Sequence, residues 1–441
     1  MSDPLRLAVA GLGTVGASLA RIILERSDTT ATLGKHSLKL QAVSARDATK
    51  DRGVDLAGIA WENDPIALAK RGDIDVFVEL IGGSDGPALE SVEAALRMGK
   101  SVVTANKALL AEHGNRLARL AEENGTEIAF EAAVAGGIPV IKTFREGLTG
   151  NQIERVFGIL NGTCNYILTR MEDEGKPFEE ILKDAQDLGY AEADPTFDIG
   201  GHDTAHKLAL LTCLAFGTEI SADDIYLEGI ETVTLEDIRA ADELGFRIKL
   251  LGVAQRTSTG VEQRVHPTMV PKSSPIARVS GVTNAVAVDT DLLGQSMFIG
   301  PGAGGNATAS AVFADITDLA RGDRVPTLGR NAEALKPYTR AQMRAHEGGY
   351  YIRLAVKDEV GMFARIARAM ADANISLESI VQEASIGERR GDRQSQPDDV
   401  KTIVLITHQT TEAAIRKAVT VVEEDGGMVG AAQVIRIERL D

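Results

Sequence analysis

Residues Leu5–Ala10 are apolar except for Arg6 and run straight into Gly11-Leu12-Gly13-Thr14-Val15-Gly16, after which a helical pattern covers residues 17–26. A buried strand, a glycine turn and a helix in that order leave few folds open. The glycines permit a tight turn and a close backbone approach, and the start of the helix offers free N–H groups to an anion. Such a chain is expected to begin with an α/β, Rossmann-type parallel sheet. Its dinucleotide would lie against Gly11, Gly13, Thr14, Val15 and Gly16. A purely structural glycine turn is the alternative.

Leu38–Ser44 reads as the second strand, with Ser44-Ala45-Arg46-Asp47 at its tip. Arg46 can pair with a ribose 2′-phosphate, which favours NADP(H), while Asp47 can accept from free ribose hydroxyls, which leaves NAD(H) open. A solvated Arg–Asp turn explains the same residues. Further strands are expected over 75–81, Ser101–Thr104 and 127–132, with helices over 87–98 and 139–146. Ligands gather at the carboxyl ends of parallel strands, so Lys107, just past one of them, can meet a phosphate, a nicotinamide or a substrate carboxylate. A surface lysine there would be ordinary too.

The densest chemistry lies at 189–211, which holds Glu192, Asp194, Asp198, His202, Asp203, His206 and Lys207. Leu208, Leu211 and Leu214 mark the buried face of a helix over 203–216, with Asp203 and Lys207 one turn apart. A carboxylate beside an ammonium at a buried helix start can move protons, because burial shifts both groups from their solution pKa values. An ordinary helical ion pair is the competing reading. His202 and His206 share a face as metal ligands would, but the other histidines are scattered. Cys164 as a nucleophile would need a neighbouring base that no motif supplies.

The 441 residues exceed one comfortable core, so several domains are expected. A formal charge of −17 disfavours nucleic acid and anionic membranes as partners. Two cysteines exclude a disulfide framework and suit a reducing, cytoplasmic setting. The longest apolar stretch, 208–216, is too short to cross a bilayer.

A strand over 151–160 opens a second region and leads into Asn161-Gly162-Thr163-Cys164-Asn165-Tyr166. Mixed strands and helices follow, with strands over 248–254 and 261–269. The glycine-rich run 300–305 opens a helix over 309–320, and Gly302 there is either a second cofactor contact or part of a plain connection. Residues 329–349 read as a polar linker. The last stretch alternates strand 350–357, helix 363–373, strand 375–384, a charged mobile loop at 387–399, strand 401–408, helix 411–424 and strand 428–437. That order is the ferredoxin-like βαββαβ.

The run Gly189-Tyr190-Ala191-Glu192-Ala193-Asp194-Pro195, followed by Asp198, Gly201, Asp203 and Lys207, resembles the substrate-binding signature of the homoserine dehydrogenase family. Residues 161–166 resemble the family's Asn-Gly-Thr-x-Asn-Tyr turn. Residues 350–441 resemble an ACT domain, with Val360 where a proline usually stands before the turn glycine. The resemblance spans nearly the whole chain. It implies a nucleotide domain at 1–138, an α+β substrate and dimerisation domain at 139–300, a return segment at 301–328, a linker at 329–349 and a regulatory domain at 350–441.

The implied reaction is reversible NAD(P)H-dependent reduction of L-aspartate 4-semialdehyde to L-homoserine, in the biosynthesis of threonine, methionine and isoleucine. Lys207 would transfer the proton and Asp203 would hold Lys207. Glu192 and Asp198 would bind substrate, and Lys107 would anchor substrate and cofactor. The family's monovalent cation site (Na+ or K+) carries over to Glu131, Val134, Gly136 and Ile138. The last domain implies threonine as effector and a homodimer or homotetramer. Two other readings share parts of this sequence: a different amino-acid dehydrogenase on the same plan, and a sensor that binds NADPH without turnover.

Overall fold

The computed structural model describes residues 3–33, 36–341, 347–383 and 400–438. Its first sheet has six parallel strands: β1 (Leu5–Ala10), β2 (Leu38–Ser44), β3 (Ala60–Glu62), β4 (Val76–Glu79), β5 (Ser101–Thr104) and β6 (Ile128–Ala129). Leu7–Ala10 are buried, so β1 is apolar without alternation, as a strand covered on both faces must be. The strand order is β3-β2-β1-β4-β5-β6. It reverses between β1 and β4, which places the ligand crevice at their carboxyl ends.

Local signals misplaced some boundaries. The first helix begins at Thr14, inside the glycine turn, and runs to Leu33 with non-helical backbone at Arg26. The strand expected over 127–132 shortens to β6, because Glu131 adopts helical angles ahead of a short helix, Ala132–Ala135. In place of a helix over 139–146 come a single turn at Val140–Lys142 and a π-helical turn at Thr143–Gly147. The helices Pro65–Lys70 and Lys107–Glu123, which carried no sequence expectation, start at side-chain caps: Asp64 accepts from the Ile66 N–H and Asn106 from the Leu109 N–H.

The second sheet is built from β7 (Ile153–Ile159), β8 (Tyr226–Leu227), β9 (Phe246–Thr257), β10 (Gly260–Pro271), β11 (Thr283–Thr290), β12 (Gly294–Pro301), β13 (Glu347–Lys357), β14 (Leu377–Glu383), β15 (Val400–Thr407), β16 (Thr410–Thr411) and β17 (Gln433–Ile437). Its order is β12-β11-β7-β9-β10-β17-β13-β15-β14, with β8 and β16 off the main path. The helix His202–Phe216 lies against this sheet with almost every side chain buried, rather than on one face only. A side chain at Gly252 of β9 would crowd Thr204 at 3.1 Å, so that glycine lets the helix sit close to the strand.

The four C-terminal strands β17-β13-β15-β14 extend the substrate sheet instead of forming a separate one. β17 pairs in parallel with β10, Thr268 opposite Arg436 and Met269 opposite Ile437. Along β13, Tyr350, Ile352, Leu354 and Val356 face the helices Met362–Asp372 and Glu412–Glu424. Tyr351 and Arg353 face the other way and bond Asp237, on the helix Leu235–Glu243 of the substrate region. Period-two alternation thus buries both faces.

Residues 329–341 do not run free. Lys336 exchanges backbone bonds with Gly217 and Glu219, and Ala341 donates to the Val261 carbonyl, which fastens this polar stretch to the body. The charged loop expected at 387–399 lies outside the described residues. No helix among the described residues is long and apolar enough to cross a membrane.

Candidate active site

The glycine turn is shaped by two close approaches. A Cβ on Gly11, whose φ is +99°, would lie 2.2 Å from the Leu80 carbonyl oxygen, and one on Gly16 would lie 1.9 Å from that of Gly11. Gly13 meets nothing within 4 Å, so the turn is open there. Thr14 and Val15 follow at the helix start, and the Gly11 N–H is tied to Ser44 at the tip of β2, 2.8 Å away. Arg46, just beyond, is exposed. Asp47 spends its carboxylate on its own turn, accepting from the Thr49 N–H at 2.8 Å and hydroxyl at 2.7 Å. Arg52, which no sequence motif singled out, donates to the Leu12 carbonyl at 3.2 Å and stacks over Trp61. Gly302 touches the Asn284 side chain and backs onto Gly136, while Gly305 abuts Thr14 and Ser18 of the first helix.

Lys107 is the first residue of its helix, set there by the Asn106 cap. Asn106 also donates to the Gly83 carbonyl at 2.7 Å, and Thr104 donates to the fully buried Glu79 at 2.6 Å. These contacts bring the ends of β4 and β5 together and point Lys107 across the crevice. Its Nζ lies 3.0 Å from Asp203 Oδ1. The other carboxylate oxygen, Oδ2, accepts from Lys207 Nζ and from Asn161 Nδ2, each at 2.8 Å. Lys207 also donates to the Leu160 carbonyl at 2.6 Å.

A carboxylate between two ammonium groups therefore occupies the boundary of the two sheets' domains. Burial opposes the Asp203 charge, but Lys207, Lys107 and Asn161 outweigh it and hold its carboxyl well below the usual range. For Lys207, burial wins: its ammonium is pushed down, with Lys107 adding to the effect and Asp203 opposing it. Burial also works against the Lys107 charge, yet Asp203, Asp198 and Glu192 together keep its pKa raised. Two of the three Lys207 donors are spent on described groups, leaving one N–H for a ligand.

Asp198 accepts from Asn161 at 2.8 Å, and burial pushes its carboxyl up. Glu192 and Asp194 are exposed, Glu192 on the loop that rims the crevice. His202 and His206 both meet the Phe197 ring, at 5.9 and 5.4 Å between centroids, an aromatic arrangement rather than a ligand set. Cys164 is buried, donates to the Asp198 carbonyl at 3.2 Å and has its thiol pushed up by burial, the opposite of an activated nucleophile.

The turn 134–138 sits between the short helix Ala132–Ala135 and Gly302. Glu131 is buried and accepts from the Ile141 and Lys142 N–H groups at 2.7 and 2.9 Å. Its own N–H donates to Asp315, whose carboxyl burial pushes up to about 7, with the Glu131 charge adding. Glu131 and Asp315 are thus two neighbouring buried carboxyl groups, and the Arg145 guanidinium supplies positive charge beside both.

Family models match the chain in three places. The model described as the NAD binding domain of homoserine dehydrogenase matches residues 11–131, homoserine dehydrogenase matches 139–317, and the ACT domain matches 350–424. The homoserine dehydrogenase of Neisseria gonorrhoeae is 42% identical over 443 residues, covering 99% of each chain. This chain belongs to the homoserine dehydrogenase family. The homoserine dehydrogenase of Pseudomonas aeruginosa is 41% identical over 444 residues, covering 99% of this chain and 100% of that one. The crystal structure of a homoserine dehydrogenase from Thiobacillus denitrificans superposes with a TM-score of 0.92 at 41% identity, covering 99% of each chain. A hyperthermophilic archaeal homoserine dehydrogenase in complex with NADPH gives 0.62 at 28% identity, covering 72% of this chain and 97% of that one.

The chain thus has homoserine dehydrogenase activity, that of an NAD(P)-dependent oxidoreductase, and the family implies homoserine and aspartate semialdehyde as the substrate pair. The dehydrogenase fold is the expected one: parallel nucleotide sheet, mixed substrate sheet and C-terminal ACT domain. The acids, the glycine turn and Lys107 were visible as residue types. Asn161 was visible only as part of the 161–166 turn, and Asn106, Glu79 and Arg52 carried no reading; the bonds from Asn161 to Asp198 and Asp203, from Asn106 to Gly83, between Thr104 and Glu79 and from Arg52 to Leu12 span long separations.

Proposed function

We propose that Lys207 carries the proton of the homoserine dehydrogenase reaction and that Asp203 and Lys107 set its geometry and charge. The carrying observation is the Lys107–Asp203–Lys207 chain, at 3.0 and 2.8 Å across the crevice. When bound, the nicotinamide supplies hydride to C4 of L-aspartate 4-semialdehyde. The free N–H of Lys207 gives its proton to the C4 oxygen, and Lys207 takes it back in the reverse direction. Asp203, saturated by Lys107, Lys207 and Asn161, holds Lys207 and is not itself the base. Glu192 and Asp198 bind the substrate ammonium and hydroxyl side, and Lys107 faces the substrate carboxylate and the cofactor.

The pyrophosphate is held at Gly11, Gly13, Thr14, Val15 and Gly16. Preference for NADP(H) over NAD(H) is supported by the exposed Arg46, by Arg52 beside the turn and by the engagement of Asp47 elsewhere. Gly302 supports the cofactor side through the turn 134–138. A sodium or potassium ion would be held by Glu131 and by the carbonyls of Val134, Gly136 and Ile138, fixing that turn against the crevice. Residues 350–441 would sense threonine. Exposed Leu292, Leu293 and Ile299 on the β11–β12 hairpin, at an open sheet edge, support a homodimer or homotetramer.

The test is oxidation of NADPH by the purified protein with L-aspartate 4-semialdehyde, repeated with NADH and with L-threonine. Turnover with a lower KM for NADPH and inhibition by threonine would bear the reading out. Cofactor binding without turnover would favour a sensor.

A further inference from the structure

Asn161 is the N-cap of the helix Gly162–Glu174, and its Oδ1 accepts the Cys164 N–H at 2.8 Å. That bond decides which end of the amide faces which way. With Oδ1 committed to the helix, both N–H groups of Nδ2 point at acids: Asp198 Oδ1 and Asp203 Oδ2, each 2.8 Å away. The two acids come from different elements, the turn Thr196–Ile199 and the helix His202–Phe216. The preceding carbonyl, Leu160, accepts Lys207 Nζ at 2.6 Å and is steadied by Asn284 Nδ2 at 3.0 Å. Two consecutive residues thus fix both members of the Asp203–Lys207 pair.

Two carboxylates brought together at low exposure share a proton unless each is supplied with donors. Asn161 is 5% exposed and gives one donor to each. Being a neutral amide, it donates without altering the charge of the site. Among the described residues Lys107, Lys207, Cys164 and His206 face this pair, with Glu231 acting on Cys164 and Glu192 on Lys107.

We propose that Asn161 is a positioning residue of the reaction: its amide, locked by the helix cap, holds Asp198 and Asp203 apart as two separate acceptors and so fixes the direction of the Lys207 ammonium. The proposal rests on Lys207 and Asp203 having the roles given above. It adds a requirement that those roles do not contain, a donor fork shared by two carboxylates.

Asn161→Ser and Asn161→Asp test it, because Ser and Asp cap helices about as well as Asn. Both variants should bind NADPH; Asn161→Ser should melt near the parent, and Asn161→Asp, with a third acid at low exposure, should melt lower. Asn161→Ser, without the fork, should lose about 10²-fold in kcat/KM for L-aspartate 4-semialdehyde. The acid limb of its pH profile should move to higher pH, since a carboxylate deprived of a donor takes up a proton more readily. Asn161→Asp, the closer match in shape, should lose more, because it adds a third carboxylate. Equal losses in the two variants, or an unchanged pH profile, would place Asn161 in the helix cap alone and overturn the proposal. A Lys207→Ala variant assayed alongside separates the cases: if it turned over normally, the underlying roles would fall first.

Discussion

Lys107 and Asp203 belong to different domains, yet Lys107 Nζ lies 3.0 Å from Asp203 Oδ1, and the Asp203 side chain is 6% exposed. The link joins the start of a helix on the nucleotide sheet to the central helix of the substrate sheet. Replacing Asp203 by Asn leaves the buried Lys207 and the partly exposed Lys107 without their shared carboxylate, which should cost about 1–3 kcal/mol of stability once solvent screening at Lys107 is allowed for. The folded pKa of Asp203 is held down, so its contribution is present above about pH 4 and is lost as pH falls through the folded value. Urea unfolding should show the gap between Asp203→Asn and parent narrowing below about pH 4.

Lys207 predicts a pH profile with a definite sign. Burial lowers its pKa, so aldehyde reduction, which needs the protonated form, should lose rate on the alkaline side below the ordinary lysine value of about 10.4. Homoserine oxidation, which needs the neutral amine, should gain rate over the same interval. Lys207→Ala should remove both limbs and lower kcat by about 10²- to 10⁴-fold while NADPH binding stays intact. An unchanged profile in the variant would take the proton away from Lys207.

The joint between the C-terminal module and the substrate region should behave as one cooperative unit. Asp237 is fully buried, accepts from Arg353 Nε at 2.7 Å and from Tyr351 OH at 3.0 Å, and reciprocates the Thr234 cap. Asp237→Ala strands both partners and should cost about 2–4 kcal/mol, read as one lowered transition by calorimetry. Two separate transitions would mean that the module melts alone.

The proposed cation site at Glu131 and the 134–138 turn predicts that sodium or potassium chloride raises the melting temperature more than choline chloride at equal ionic strength. Glu131→Gln should abolish the difference. A difference that survived it would place any cation effect elsewhere on the protein.

Much of this architecture is written locally. The Gly11–Gly16 turn, the Asp203–Lys207 spacing and the βαββαβ order each depend on neighbours in sequence. What escaped is long-range. Asn161 looks like a plain helix cap until Asp198 and Asp203 arrive 37 and 42 residues later. The helix Lys107–Glu123 carries Gly114 in its interior, which weakens its local signal; a side chain there would come 2.6 Å from Ile220. The pairing of β17 with β10 leaves no trace in either strand, since Glu262, Gln263, Arg264 and His266 in β10 and Gln433 and Arg436 in β17 carry no pairing signal of their own.

That pairing has a bearing on how the chain is made. β10 and β17 border each other but lie far apart in sequence, so during synthesis part of the β10 edge waits open until the C-terminal module has been made. An unpaired strand edge is a template for self-association. A chain interrupted before β17 would therefore carry an edge that the substrate region alone cannot close, and that fragment is the species expected to aggregate.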